Sequence, residues 1–174
     1  MLEPELKRTI REIPDFPKPG INFYDVSTLF RNGRAFRATV DQMAARYRDR
    51  SIDAFAGIEA RGFMLAGAMS YALGVGTVLV RKPGKLPHET DAENYTLEYG
   101  EATIEVHRDA IETGQRIVVV DDLLATGGTA AAAGRIIGRL GGRVLGYAFM
   151  VELGFLSGRK TLGAADVFSL LRYD

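Results

Sequence analysis

Ile117, Val118, Val119 and Val120 follow one another without a polar break, a pattern that predicts a strand covered on both faces rather than one with a wet side. Asp121 and Asp122 come at its end, and after a short loop the alanine-rich stretch from Ala130 to Leu140 predicts a helix stopped by Gly141-Gly142. Strand, loop and helix in that order make half of a βαβ unit. Upstream, Phe36, Val40, Met43, Ala44 and Tyr47 fall on one stripe of a predicted helix from Arg34 to Asp49, and Ile52 to Gly57 reads as a short strand. Glu59 to Gly62 then links that strand to a helix ending near Leu73, with further strands at Gly76 to Val80 and Val144 to Val151. The alternation predicts an α/β fold, a mainly parallel twisted sheet flanked by helices.

One apolar run needs separate treatment. Gly62 to Val80 spans 19 positions without a charge, which is the length of a membrane helix. Four glycines, Ser70 and the Leu73-Gly74-Val75-Gly76 break instead divide it into helix, turn and strand. Residues 82–107 interrupt the alternation. Lys82-Pro83-Gly84-Lys85-Leu86-Pro87 is turn-rich and basic, while Tyr95 to Tyr99 and Thr103 to His107 predict two strands joined through Gly100, so the segment reads as a flexible lid beside a hairpin.

Composition narrows the class. The 174 residues suit one domain, residues 1–174, and no cysteine is present to form a disulfide. Lys and Arg number 22, as do Asp and Glu, so no net charge favours nucleic acid or an anionic membrane as a partner. Any anion must be held locally. Met1 to Ile10 mixes charged and apolar residues without a signal-peptide core, which makes the cytoplasm the expected location.

The chemistry centres on residues 121–129. Adjacent carboxylates at a strand end can accept hydrogen bonds from the vicinal hydroxyls of a ribose, or hold a hydrated Mg2+. Thr126 to Thr129 offer hydroxyls and successive backbone N–H groups, with Gly127 and Gly128 leaving room for close approach, and the following helix N-terminus favours a phosphate monoester. No lysine follows these glycines as a nucleoside-triphosphate loop requires, and the G-x-G-x-x-G of dinucleotide binding is missing. No His-Cys grouping has zinc spacing. His88 and His107 lack a visible catalytic partner and read as an exposed loop residue and a structural one.

Val118 to Thr129 resembles the phosphoribosyl-pyrophosphate signature of the type I phosphoribosyltransferases. Ile13 to Gly20, Glu59-Ala60-Arg61-Gly62-Phe63, Arg81 to Pro87 and Leu97-Glu98-Tyr99-Gly100 narrow the likeness to the family of adenine phosphoribosyltransferases, in the family's order and over nearly the whole chain. The resemblance implies the type I phosphoribosyltransferase fold, with a small hood from residues 1–33 and part of the C-terminal region. It implies transfer of ribose 5-phosphate from 5-phosphoribosyl 1-pyrophosphate to N9 of adenine, giving AMP and pyrophosphate, with Mg2+ carried mainly on substrate oxygens and a homodimeric assembly.

Residue by residue, the likeness assigns Asp121 and Asp122 to the ribose and magnesium, and Ala125, Thr126, Gly127, Gly128 and Thr129 to the 5-phosphate. Arg61 falls where the family binds pyrophosphate, in a loop that often holds a cis peptide. Arg81, Lys82 and Lys85 fall there too, with Arg81 reaching a neighbouring subunit's site. Glu98 matches the glutamate that faces the purine and Tyr99 the residue that shields the closed site. Phe23 is expected to stack on the base, Ile21 to offer its carbonyl to the exocyclic amine, and Leu153 to close the opposite face. Tyr24 departs from the pattern, because an arginine commonly follows this phenylalanine. Two rival readings remain at this stage: a donor site serving hypoxanthine, guanine or xanthine, and a non-catalytic sensor of the donor sugar.

Overall fold

The computed structural model describes residues 1–97 and 100–174. The elements in chain order are α1 (Glu3–Lys7), β1 (Arg11–Ile13), β2 (Phe23–Asp25), α2 (Ser27–Arg31), α3 (Gly33–Ala45), β3 (Ala54–Ile58), α4 (Arg61–Leu73) and β4 (Gly76–Val80). They continue with β5 (Thr90–Leu97), β6 (Gly100–His107), β7 (Arg116–Leu124), α5 (Gly128–Arg139), β8 (Arg143–Leu153), α6 (Gly158–Leu162) and β9 (Val167–Tyr173). Five strands form a parallel sheet in the order β4-β3-β7-β8-β9.

The apolar run in β7 explains why the sheet is covered on both sides. Val118 and Val120 pack with α3 and α4 through Met43, Leu65 and Met69, while Ile117 and Val119 join Ala133, Ile136 and Ile137 of α5 in a second core. Successive side chains point to opposite faces, so a run without polar residues needs helices on each. The uncharged stretch from Gly62 to Val80 folds as α4, a turn at Gly74 with φ of 69°, and β4. Among the described residues no helix is long and apolar enough to cross a membrane.

Chain direction places the site. From β3 the chain passes through α4 to β4 on one side, and from the adjacent β7 it passes through α5 to β8 on the other. The carboxyl ends of β3 and β7 therefore flank a switch point, where open α/β sheets bind ligands.

Several boundaries differ from the sequence reading. Strand β7 runs on to Leu124 because Asp121, Leu123 and Leu124 stay in register with Phe149, Val151 and Glu152 of β8, so both aspartates sit within the strand rather than beyond it. The hairpin starts at Thr90, and α3 stops at Ala45, although Tyr47 still fills the same core. Arg135 and Arg139 of α5 hold Glu93 at 2.5 Å each, and Arg139 also holds Asp91 at 2.9 Å, which fastens the hairpin to α5. The pairing of β1 with β2 and the final strand β9 were not read from the sequence. Residues near the N-terminus join the main core, where Leu6, Ile10 and Val26 pack with Leu153 and Leu171.

Packing of α5 on β8 leaves no slack at Gly134, where an added Cβ would lie 2.2 Å from the Tyr147 hydroxyl and 3.2 Å from its ring carbon. Gly134→Ala is expected to lower unfolding free energy by about 1–3 kcal/mol through overpacking, despite its better helix propensity. A denaturant midpoint equal to or above the wild type's would refute that packing.

Candidate functional site

The site begins where β3 ends. The Glu59–Ala60 peptide is cis, and Arg61 follows as the first residue of α4. Gly62 brings this turn against β7: a Cβ there would lie 2.7 Å from the Val120 carbonyl oxygen and 3.0 Å from Asp121 Oδ1. That approach sets Arg61 Nε 2.7 Å from Oδ2 of Asp122, which is buried. The contact is an ion pair rather than an aligned hydrogen bond, since this oxygen has no hydrogen-bond partner among the described residues.

Asp121 is the less compensated of the pair. Its Oδ1 accepts the Asp122 backbone N–H at 2.9 Å. Poor solvation first, and the neighbouring Asp122 charge second, push its carboxyl well above the usual aspartate range. Such a group is stabilised by a cation or by donors brought in by a ligand. Two adjacent carboxylates suit a hard cation, and among the described residues no group of three or more His, Cys, Asp or Glu forms a cage. A cation there would complete its shell with water and ligand oxygens, the usual habit of magnesium.

The turn from β7 into α5 forms a small cup. Gly127 has φ of 82°, a conformation that favours glycine, and helix α5 starts at Gly128 with no side chain capping its N-terminus. Its first N–H groups lack intrahelical acceptors and carry the positive end of the helix dipole. The cup, about 70 Å³, is lined by Ala125, Thr126, Gly127, Gly128 and Thr129, with Asp121 at its edge.

Beside it lies a cleft of about 460 Å³ whose walls include Arg61, Lys82, Tyr95, Asp121, Asp122 and Thr129. Asp121 and Thr129 border both spaces, so cup and cleft adjoin. Arg81 and Lys85 do not line it. Arg81 Nε sits 3.2 Å from Glu59, its Nη1 donates to the Lys85 carbonyl at 2.9 Å, and its guanidinium lies over the Phe63 ring. Glu59 also accepts the Lys82 N–H at 3.0 Å, fixing the basic segment to the cleft rim. Sequence reasoning missed this role of Glu59, because no spacing rule pairs it with residues more than 20 positions away.

A third cavity, about 350 Å³, lies under β2 and the end of β8, with Ile21 and Leu153 both in its wall. Phe155 and Leu156, also missed, complete an apolar rim; Phe155 is 58 % exposed. Exposed apolar side chains around a hollow suit a flat, largely apolar ligand. Phe23 is outside this wall and meets Phe16 edge-on at 5.3 Å. Tyr24 lines the cavity and packs on Tyr173 at 4.1 Å between ring centres. His88 and His107 meet each other, 6.2 Å between rings, away from these spaces. Glu98 and Tyr99 lie outside the described residues.

The chain is similar to known proteins over nearly its whole length. Residues 25–162 match the phosphoribosyl transferase domain family. The adenine phosphoribosyltransferase of Solibacter usitatus is 56 % identical over 171 residues, covering 98 % of this chain and 99 % of that protein. The crystal structure of adenine phosphoribosyltransferase from Thermoanaerobacter pseudethanolicus superposes with a TM-score of 0.94 at 48 % identity, over 98 % of this chain and 99 % of the other. That of Saccharomyces cerevisiae, complexed with an imino-altritol bisphosphate and adenine, gives 0.91 at 42 % identity, over 97 % and 98 %.

Proposed function

The chain belongs to the adenine phosphoribosyltransferase family, and we propose that the switch-point crevice is where it moves ribose 5-phosphate from 5-phosphoribosyl 1-pyrophosphate to N9 of adenine, making AMP and pyrophosphate. The observation that carries the reading is the sharing of Asp121 and Thr129 between cup and cleft. A phosphate in the cup then leaves its ribose beside the paired acids and its C1 facing Arg61 and Lys82.

In this assignment the amides and hydroxyls of residues 125–129 hold the 5-phosphate, and Asp121 and Asp122 accept the ribose hydroxyls. Arg61 and Lys82 stabilise the charge gathering on pyrophosphate as the C1–O bond breaks and the leaving oxygen keeps the electron pair. The N9–C1 bond forms on the opposite face, and adenine gives up its imidazole proton, for which Glu98 is the assigned acceptor. Ile21 and Leu153 bracket the purine, Phe23 at the start of β2 stacks on it, and Tyr99 shields the closed site. Bound Mg2+ supplies charge neutralisation on the pyrophosphate and ribose oxygens. Asp121 and Asp122 would hold it through water, as their unbalanced charge favours.

Residues 1–33 with part of the C-terminal region act as a hood over the base, and residues 82–107 as lid and hairpin of the same unit, residues 1–174. The shared core of Leu6, Ile10, Val26 and Leu171 supports that unity. A homodimer is supported by Met64, Tyr71 and Leu79, exposed by 45 %, 92 % and 43 % along α4 and the edge strand β4. Arg81 lies next to that edge and outside its own cleft, which fits a role in the partner's site, with Lys85 beside it. The cytoplasm is the matching location, because a highly charged sugar phosphate does not cross membranes unaided.

Radiolabelled adenine, hypoxanthine and guanine, each supplied with donor sugar and Mg2+, test the assignment. AMP is expected from adenine alone, with turnover abolished by a chelator and restored by added Mg2+. Failure to form AMP, or equal use of hypoxanthine, would overturn it.

A further inference from the structure

Residues 153–162 run from the apolar cavity to the phosphate cup and are pinned at both ends and in the middle. Leu153 lines the cavity. In the middle, Arg159 grips Glu152 with two hydrogen bonds of 2.7 Å and donates to the Val167 carbonyl at 2.7 Å. Glu152 is 3 % exposed, so this bidentate pair is what makes its burial tolerable. At the far end the cup rests on α6 without clearance. A Cβ on Gly158 would lie 2.2 Å from the Ala125 carbonyl oxygen, and one on Gly127 would lie 2.6 Å from that of Gly158.

Thr161 adds a directional contact, its hydroxyl donating to the Thr126 carbonyl at 2.6 Å. The Thr126–Gly127 peptide is not among the cis bonds, and in a planar trans peptide the N–H points opposite to the carbonyl. A carbonyl turned toward α6 therefore turns the Gly127 N–H away from α6. Gly127 lines the cup and no α6 residue does, so the cup lies on a side that this N–H is free to face. A carbonyl left free to rotate would set a negative oxygen against a bound phosphate.

We propose that Thr161 is a positioning residue for the donor phosphate: it locks the Thr126–Gly127 peptide with its N–H toward the ligand, and the Arg159–Glu152 pair holds α6 in place for it. The proposal rests on residues 125–129 being the 5-phosphate site.

Thr161→Val keeps side-chain shape and removes the donor. Calorimetry with ribose 5-phosphate is expected to show about a tenfold weaker dissociation constant, the effect of one lost contact to a charged group. The KM for 5-phosphoribosyl 1-pyrophosphate rises in step, the KM for adenine stays unchanged, and Thr161→Ser restores wild-type behaviour. Ribose 5-phosphate binding within twofold of wild type in Thr161→Val would overturn the proposal. So would equal weakening of both substrates with a lowered melting temperature, or a tenfold loss in Thr161→Ser, which retains the hydroxyl. Thr129→Ala separates the premise from the inference. If it binds ribose 5-phosphate normally, the phosphate-site reading fails and the proposal with it. If it loses binding while Thr161→Val keeps it, only the role of Thr161 fails.

Discussion

Asp121→Asn should lower kcat/KM for the donor sugar by about 10²- to 10³-fold, the scale of removing one electrostatic contact at a reacting centre, while making the folded chain more stable at neutral pH. Asparagine keeps the oxygen that accepts the Asp122 N–H, so the local geometry has no reason to change. What disappears is a charge that the fold disfavours, since poor solvation and Asp122 raise this carboxyl above its ordinary value of 3.8. The sign follows from linkage. While both folded and unfolded states are protonated the group has no effect. As pH rises past 3.8 the unfolded chain ionises first, and the cost to the folded state grows until its own carboxyl ionises. The stabilisation in Asp121→Asn should therefore appear at pH 7 and vanish toward pH 3. Melting curves at the two pH values, with steady-state kinetics, check both halves; unchanged turnover or a lower melting temperature at pH 7 would contradict them.

Gly62→Ala is the second large effect. The new methyl would sit 2.7 Å from a backbone oxygen of β7, and neither strand nor helix can yield locally, because Gly57 already leaves only 2.9 Å between a would-be Cβ and the Gly62 carbonyl. Helix α4 must shift, taking Arg61 from Asp122. Displacement on the order of 1 Å is worth about 10²-fold in rate, and overpacking costs about 1–3 kcal/mol in stability. Gly138→Ala, on helix α5, is the control. Among the described residues nothing lies within 4 Å of its would-be Cβ, so it should keep full activity and gain a little stability from better helix propensity. Equal kinetics in the two variants would remove the close approach from the account.

The sequence exposed the donor half of the site better than the acceptor half, for physical reasons. The β-branched run, adjacent acids and glycine-threonine turn occupy consecutive positions, and local rules of strand, turn and helix N-terminus act on such segments directly. Gly76 to Val80 was readable in full because the Gly74-Val75-Gly76 break opens it and the Pro83-Gly84 turn follows soon after. By contrast, the contact of Thr161 with Thr126 spans 35 positions, and Glu59 meets Lys82 across 23. Only the folded sheet brings those groups together. The hollow bordered by Ile21, Leu153 and Phe155 likewise draws on both chain ends, joined by packing of Tyr24 on Tyr173. Strand β9 was missed because it lies at the sheet edge, where among the described residues its pairing is with β8 alone. The extension of β7 through its aspartates was missed because carboxylates disfavour strands unless a ligand site needs them there.

A crystal structure of the chain with AMP would show whether cup, paired acids and apolar cavity hold one nucleotide. Phosphate oxygens are expected at about 3 Å from the amides of residues 126–129, ribose hydroxyls on Asp121 and Asp122, and the purine between Ile21 and Leu153. A phosphate seated on Lys82 or away from the cup, with the aspartates facing solvent, would contradict it.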